Sequence, residues 1–348
     1  MSDFAQPGLI STLQRLNDTH LAPLEAELTE LARTRPIALV LPCHGADLTR
    51  PALQHVVQEL TGAAWLSEVV VSLNALGETT LDQARAHFAP LPHPVRLLVN
   101  DAPLPAAPTV PPGKGRNVYA AFQLLASEAN CAVLATQDCD VASFRRADLA
   151  RLCYAVAHPD LGYSFAKAYY SRVTDRLYGR VSRLFLAPLL HALVRIAGHH
   201  PLLDFLLSFR YPLAGEIALT RTLAASLPLT AGWGVELAHL CEIFRRIDPR
   251  EVCQVDGGTG YDHKHQPAAT SLARMSGEIA AELFAQLAVE GLSTVTFGSA
   301  DLVRVYRREA RHALRRSAAL ARINGLPFDP TAEESIVEAF ADQLATAR

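Results

Sequence analysis

The sequence predicts an α/β fold, a mostly parallel sheet flanked by helices with helical additions at both ends, and three observations lead to it. Apolar runs of strand length recur at PIALVLP (36–42), SEVVVSLNA (67–75), VRLLVN (95–100) and CAVLAT (131–136). Segments with helical spacing of apolar residues separate them. Strand–helix–strand units of this length give parallel neighbours through right-handed crossovers, which places the strand C-termini on one edge, where such sheets bind ligands.

The elements follow in order. Leu9, Leu13, Leu16, Leu24, Leu28 and Leu31 lie at helical spacing and predict one or two amphipathic helices over 8–34. Pro42 closes the first strand. PALQHVVQELTG (51–62) then reads as a helix, with Thr49 as candidate N-cap and Gly62 as candidate stop. DQARAHF (82–88) is the next helix, and proline-rich DAPLPAAPTVPPGKG (101–115) is a loop over the ligand edge. NVYAAFQLLASE (117–128) returns to helix, and the strand at 131–136 ends just before Asp138 and Asp140. LGYSFAKAYY (161–170) is a further strand, and the chain is mostly helical after residue 268.

Of the 348 residues, half are apolar and 19% charged, an ordinary globular composition. A net charge of −3 offers no electrostatic reason to expect a nucleic-acid partner. The first residues lack the pattern of a secretory signal. The most apolar stretch, 184–209, is interrupted by Arg195, Asp204, two prolines and three histidines. It falls short of the ~20 apolar residues of a membrane span and reads as core helix, without stable membrane insertion. Six scattered cysteines with no C-x-x-C read as reduced, buried thiols of a cytoplasmic protein.

Five features carry candidate chemistry. Asp138 and Asp140 follow a buried strand on the ligand edge; they suit a hard cation with sites open to phosphate oxygens, or equally a solvated loop. Gly113-Lys114-Gly115 fails the Walker pattern because glycine follows the lysine. A turn explains the glycines, and a mobile point charge near phosphates explains the lysine. His263 and His265 lie in a loop, where exposed histidines are ordinary, although one could complete a metal shell with a distant D-x-D. Arg172, Arg176, Arg180 and Arg183 form either a basic helix face or, with Gly179 and Ser182, an anion site. Glu216 in PLAGE and Glu236 in GWGVE each follow glycine-rich backbone, as loop residues or as partners for sugar hydroxyls.

In order and spacing, PPGKG, QDCD, YGRVSRLFLAPLL, YPLAGE, AGWGVE and a histidine loop resemble the glucosyl-3-phosphoglycerate synthases and the related mannosyl-3-phosphoglycerate synthases. The resemblance spans about residues 36–275. It implies a retaining glycosyltransferase of the GT-A fold that takes a nucleotide-diphosphate sugar, a 3-phosphoglycerate-like acceptor and Mg²⁺ or Mn²⁺. The family forms dimers, so it also implies a homodimer. On this reading 1–35 is an N-terminal helical extension, 36–267 the catalytic domain and 268–348 a C-terminal helical region. Within the domain, 36–140 is the nucleotide-sugar half and 141–267 the acceptor half.

Residue by residue, Asp140 and His263 match the metal ligands, and Asp138 the aspartate beside the nucleotide. Gly113 and Lys114 match the loop over the donor phosphates, and Glu236 a glutamate on the donor sugar. Pro42, Cys43, His44 and Asp47 match the segment framing the base, with Ser72 at the end of the second strand. Gly179, Arg180, Val181 and Ser182 match the acceptor-phosphate turn, and the Leu213 carbonyl the position beside the anomeric carbon. The base-framing segment departs from the family's P-A-L-N-E-E, so glucose from UDP-glucose and mannose from GDP-mannose both remain open. A polyprenyl-phosphate sugar synthase and a non-catalytic nucleotide-sugar-binding protein are the alternatives from outside the family.

Overall fold

The computed structural model describes residues 6, 8–77, 81–102, 109–128, 130–260, 262, 269–292 and 299–346. Its strands are β1 (Ser11–Leu13), β2 (Ile37–His44), β3 (Leu66–Asn74), β4 (Val95–Val99), β5 (Val133–Thr136), β6 (Phe165–Ser171), β7 (Ile217–Thr220) and β8 (Val252–Thr259). They form one sheet in the order β1-β8-β6-β7-β5-β2-β3-β4. Only β7 runs against its neighbours, pairing antiparallel with β5 and β6. The chain steps outward from β2 through β3 to β4, then returns to the other side of β2 with β5. That reversal opens a crevice between the C-terminal ends of β2 and β5, where a doubly wound sheet holds its ligand.

The period-2 alternation of the central strands separates two cores. Ile37, Leu39, Leu41, Val69, Val71, Val133 and Ala135 face one way. They meet α1 (Leu21–Ala32), α2 (Pro51–Leu60), α3 (Leu81–Phe88) and α5 (Arg146–Ala157). Ala38, Val40, Val70, Leu134, Phe165 and Leu219 face the other way, under α4 (Lys114–Glu128) and the later helices. These are α6 (Ala187–Ala197), α7 (Pro201–Leu207), α8 (Arg221–Ser226), α9 (Val235–Arg246), α10 (Ala269–Val289), α11 (Ser299–Ile323) and α12 (Pro330–Thr346). The C-terminal helices are therefore part of a continuous core. Phe340 of α12 is fully buried, with its ring centroid 5.3 Å from that of Phe185.

Several local expectations change. Residues 8–34 hold one helix, α1, and before it the edge strand β1. β1 pairs in parallel with β8, and Gln254 Nε2 donates to Thr12 Oγ1 at 2.8 Å. Thr49 does not cap α2: Arg50 takes the cap position in extended conformation, and Pro51 begins the helix with its φ already set. The apolar stretch 184–209 is split into α6 and α7, separated near Gly198, with Pro188 and Pro201 each in a first turn. Among the described residues no helix is long and apolar enough to cross a membrane. All six cysteines are free and buried.

Phe340→Ala should destabilise the fold by about 3–5 kcal/mol, the usual cost of emptying a buried aromatic site. Denaturant unfolding would register this as a lower midpoint of one transition. A midpoint equal to that of the unsubstituted chain would mean that α12 is not integral to the core.

Candidate functional site

The crevice at the strand ends is a cleft of about 330 Å³. Pro42, Cys43, His44 and Asp47 after β2 line it, with Asp138 and Asp140 after β5. Gly113 and Lys114 at the start of α4, Leu213, and Glu236 in the first turn of α9 complete its expected lining. The structure thus gathers ten sequence-identified residues, which come from segments spread over nearly two hundred positions.

Lys114 is the link between them. Its Nζ lies 2.7 Å from Asp138 Oδ1 and 2.9 Å from Glu236 Oε1. Burial opposes the charge, but Asp138, Glu236 and Glu216 outweigh it and hold the ammonium well above its usual range. Two glycines make this approach sterically feasible. A Cβ on Gly115 would come within 2.0 Å of the Thr230 carbonyl oxygen, and one on Gly215 within 2.2 Å of Lys114 Nζ. The second glycine of PPGKG is therefore a packing requirement of the α4 start, while the lysine is electrostatic.

Asp140 is pushed up to about 6 by burial and by the nearby Asp138 and Asp47 carboxylates, which Lys114 only partly offsets. This carboxylate crowding favours an added cation, and carboxylate donors suit Mg²⁺ or Mn²⁺. Mg²⁺ in particular takes one or two protein carboxylates and fills its shell with water and substrate phosphates. Among the described residues no group of three His, Cys, Asp or Glu forms a complete metal cage. His263 lies outside the described residues. Its neighbour Asp262 is placed, and its backbone N–H donates to Ser143 Oγ at 2.8 Å while its carbonyl accepts from the Ala142 N–H at 2.8 Å. The chain therefore arrives at 262 just beyond the Asp138–Asp140 turn.

Ser72 is corrected. It is fully buried two residues short of the end of β3, with its hydroxyl donating to the Asn117 carbonyl and accepting from Asn100 Nδ2, both at 2.7 Å. Asn74, at the strand end, lines the cleft in its place, held by Asn117 Nδ2 at 2.7 Å. His44 caps the turn at 45–47: its Nδ1 accepts from the Ala46 N–H at 3.1 Å, and Asp47 accepts the His44 N–H.

A second cavity of about 430 Å³ adjoins the cleft, and Tyr211 lines both. Gly179 and Ser182 line it together with Arg172, Arg183 and Arg210. Ser182 sits in a π-helical turn, Val181–Leu186, that runs into α6, and its buried Oγ has no hydrogen-bond partner among the described residues. An orphaned buried hydroxyl on a cavity wall is costly unless a ligand oxygen meets it. Arg180 is not among the residues lining the cavity; the buried Glu333 of α12 accepts from its Nε at 2.8 Å and also binds Arg183. Val181 is a core residue.

Sequence reasoning did not single out Asn74, Asn117, Tyr211, Trp233, Met275 or Ile279, which also line the cleft. Asparagines inside apolar runs were a usable signal for the first two; α10 supplies Met275 and Ile279 only through tertiary packing.

No family model matches the chain. The chain is 37% identical over 361 residues to glucosyl-3-phosphoglycerate synthase of Persephonella marina, covering 100% of this chain and 90% of that protein. The enzyme of the same name from Methanococcoides burtonii is 30% identical, covering 88% and 80%. Glucosyl-3-phosphoglycerate synthase of Mycobacterium tuberculosis, solved with Mn²⁺, UDP and phosphoglyceric acid, superimposes with a TM-score of 0.62 at 25% identity, covering 81% of this chain and 87% of that one. The same enzyme has also been solved with Mg²⁺ and UDP. With the sheet order, the carboxylate–lysine cleft and a full-length relative in agreement, the chain belongs to the glucosyl-3-phosphoglycerate synthase family of GT-A glycosyltransferases.

Proposed function

We propose that this chain transfers glucose from UDP-glucose to the 2-hydroxyl of 3-phosphoglycerate with retention of anomeric configuration. The observation that carries the reading is the pair of joined cavities. One is built on Lys114, Asp138, Asp140 and Glu236, the other is rimmed by guanidiniums, and Tyr211 stands between them. A nucleotide-diphosphate sugar fits the first by charge and an anionic acceptor fits the second.

In this reading Pro42, Cys43, His44, Asp47 and Asn74 frame the base. Asp140 and His263 hold the metal, which when bound supplies Lewis-acid neutralisation of the charge on the leaving diphosphate. Lys114 adds a fixed donor to the same leaving group, already charged and oriented by its two carboxylates. Glu236 accepts from a sugar hydroxyl, and the Leu213 carbonyl faces the anomeric carbon. Among the described residues no side chain is placed as a covalent nucleophile. The acceptor therefore attacks on the face from which the diphosphate leaves, and the leaving phosphate takes the acceptor's proton.

Gly179, Ser182, Arg172 and Arg183 hold the acceptor phosphate. Arg180 acts through Glu333, which fixes the turn from behind. The chain works as a homodimer in the cytoplasm.

UDP release from UDP-glucose should require both 3-phosphoglycerate and Mg²⁺ or Mn²⁺. Release that ignores the acceptor, or transfer from GDP-mannose alone, would refute the assignment. Asp140→Ala should lower kcat by about 10²–10³-fold, the scale of losing one transition-state electrostatic contact. Undiminished metal-dependent turnover in that variant would remove Asp140 from the metal. Ser182→Ala should raise the KM for 3-phosphoglycerate about tenfold or more, the value of a hydrogen bond to a charged group, and leave the UDP-glucose KM unchanged. Equal shifts in both constants would place Ser182 outside the acceptor site.

A further inference from the structure

Below the cleft, β6 carries a lysine that neither the sequence motifs nor the proposed mechanism uses. Lys167 is 2% exposed, and its Nζ donates to the Ala214 carbonyl at 2.6 Å. Lysine is almost never fully buried unless its charge is paired or put to use. Two neighbours act on the same short segment. Thr136 Oγ1 donates to the Gly215 carbonyl at 2.5 Å, and Tyr170 Oη donates to Glu216 Oε2 at 2.9 Å. Three side chains from β5 and β6 therefore pin residues 214, 215 and 216 in succession. The Ala214 N–H completes the turn by donating to the Tyr211 carbonyl at 3.2 Å.

Leu213 lies between the Tyr211 and Ala214 anchors and lines the cleft. We propose that Lys167 is a positioning residue that, by holding the Ala214 carbonyl from below, sets the Leu213 backbone against the donor sugar. The inference rests on the functional reading above, which places the Leu213 carbonyl beside the anomeric carbon. Lys167 is not among the residues lining the cleft, so it acts there through the turn it holds. Its positive charge also draws electron density onto the Ala214 carbonyl and stiffens a turn that carries a catalytic backbone atom. Misplacing such an atom by an ångström is enough to slow a reaction about 10²-fold.

The titratable groups facing the ammonium are Glu236 and His239 of α9, Glu216 just before β7, Lys114 of α4 and Asp138 after β5. Burial brings Lys167 down to about 8, against the pull of Glu236 and Glu216. Burial and the Lys167 charge together keep His239 neutral, near 3. The lysine is therefore the group here that loses its charge as pH rises through about 8.

The test is Lys167→Met, with Lys167→Gln as a second variant that keeps a shorter donor. Initial rates with UDP-glucose, 3-phosphoglycerate and Mg²⁺ would be followed from pH 6 to 9.5, with thermal unfolding of each protein alongside. The expected result is a kcat for Lys167→Met lowered about 10–100-fold. Both KM values should stay within about twofold, and the variant should remain folded across the assay range with a melting temperature at or below that of the unsubstituted enzyme, because the Ala214 carbonyl loses its donor. Lys167→Gln should fall between the two. The unsubstituted enzyme should lose kcat as pH rises through about 8, and the folded variant should lack that limb. A kcat for either folded variant equal to that of the unsubstituted enzyme overturns the proposal, as does a decline above pH 8 that both share. Absence of transfer by the unsubstituted enzyme would instead refute the functional reading, and the inference with it.

Discussion

The ammonium of Lys114, shared between Asp138 and Glu236, is the contact on which the rest of the cleft depends. It ties the start of α4 to the turn after β5 and the start of α9. Without a cation between them, these carboxylates would face each other and Asp140 in a partly desolvated space, where like charges repel strongly. The glycine at 215 is a consequence of the same contact, since a methyl group there would collide with Lys114 and Asp138, while the glycine at 115 lets the start of α4 pass the Thr230 carbonyl. The site is accordingly built by backbone approach first and side-chain chemistry second.

A second constraint acts from the far end of the chain. Glu333, buried in the first turn of α12, meets Arg180 and Arg183, and Arg183 also donates to the Tyr178 carbonyl and to Ser317 of α11. The arginine-rich turn is held from behind by helices whose apolar faces complete the main core. A carboxylate at a helix N-terminus is favoured by the helix dipole as well as by its two partners. The helices after residue 268 thus shape the guanidinium-rimmed cavity although none of the motifs lies in them. Tyr211, packed at a tilt against Tyr170 with centroids 4.9 Å apart, then divides that cavity from the cleft.

The central sheet was largely legible because long apolar runs with β-branched residues can hardly be anything else. β2, β3, β4 and β5 lie within two residues of where periodicity placed their ends. β1 was missed because three residues carry no period, and its leucines fit a helical wheel equally well. β7 is four residues long, and β8 mixes glutamine, aspartate and glycine, so neither reads as a buried strand. Ser72 was misplaced for a geometric reason. It shares a face with Asn74, but Asn117 of α4 covers it, and only the last residue of the strand reaches the cleft. The contact between Arg180 and Glu333 was not legible because the two lie 153 positions apart.

By itself, the sequence determined the strands of the first half, the carboxylate pair at a strand end, the lysine between glycines and the arginine cluster. Each of these is local, set by the two- and 3.6-residue periods and by which residues can begin or end an element. Tertiary structure alone decided which carboxylate meets which cation, that Arg180 and Arg183 share Glu333, and that Lys167 lies buried under the cleft. Coulomb and hydrogen-bond pairing fall off within a few ångströms, and those distances are set by how elements far apart in the chain converge.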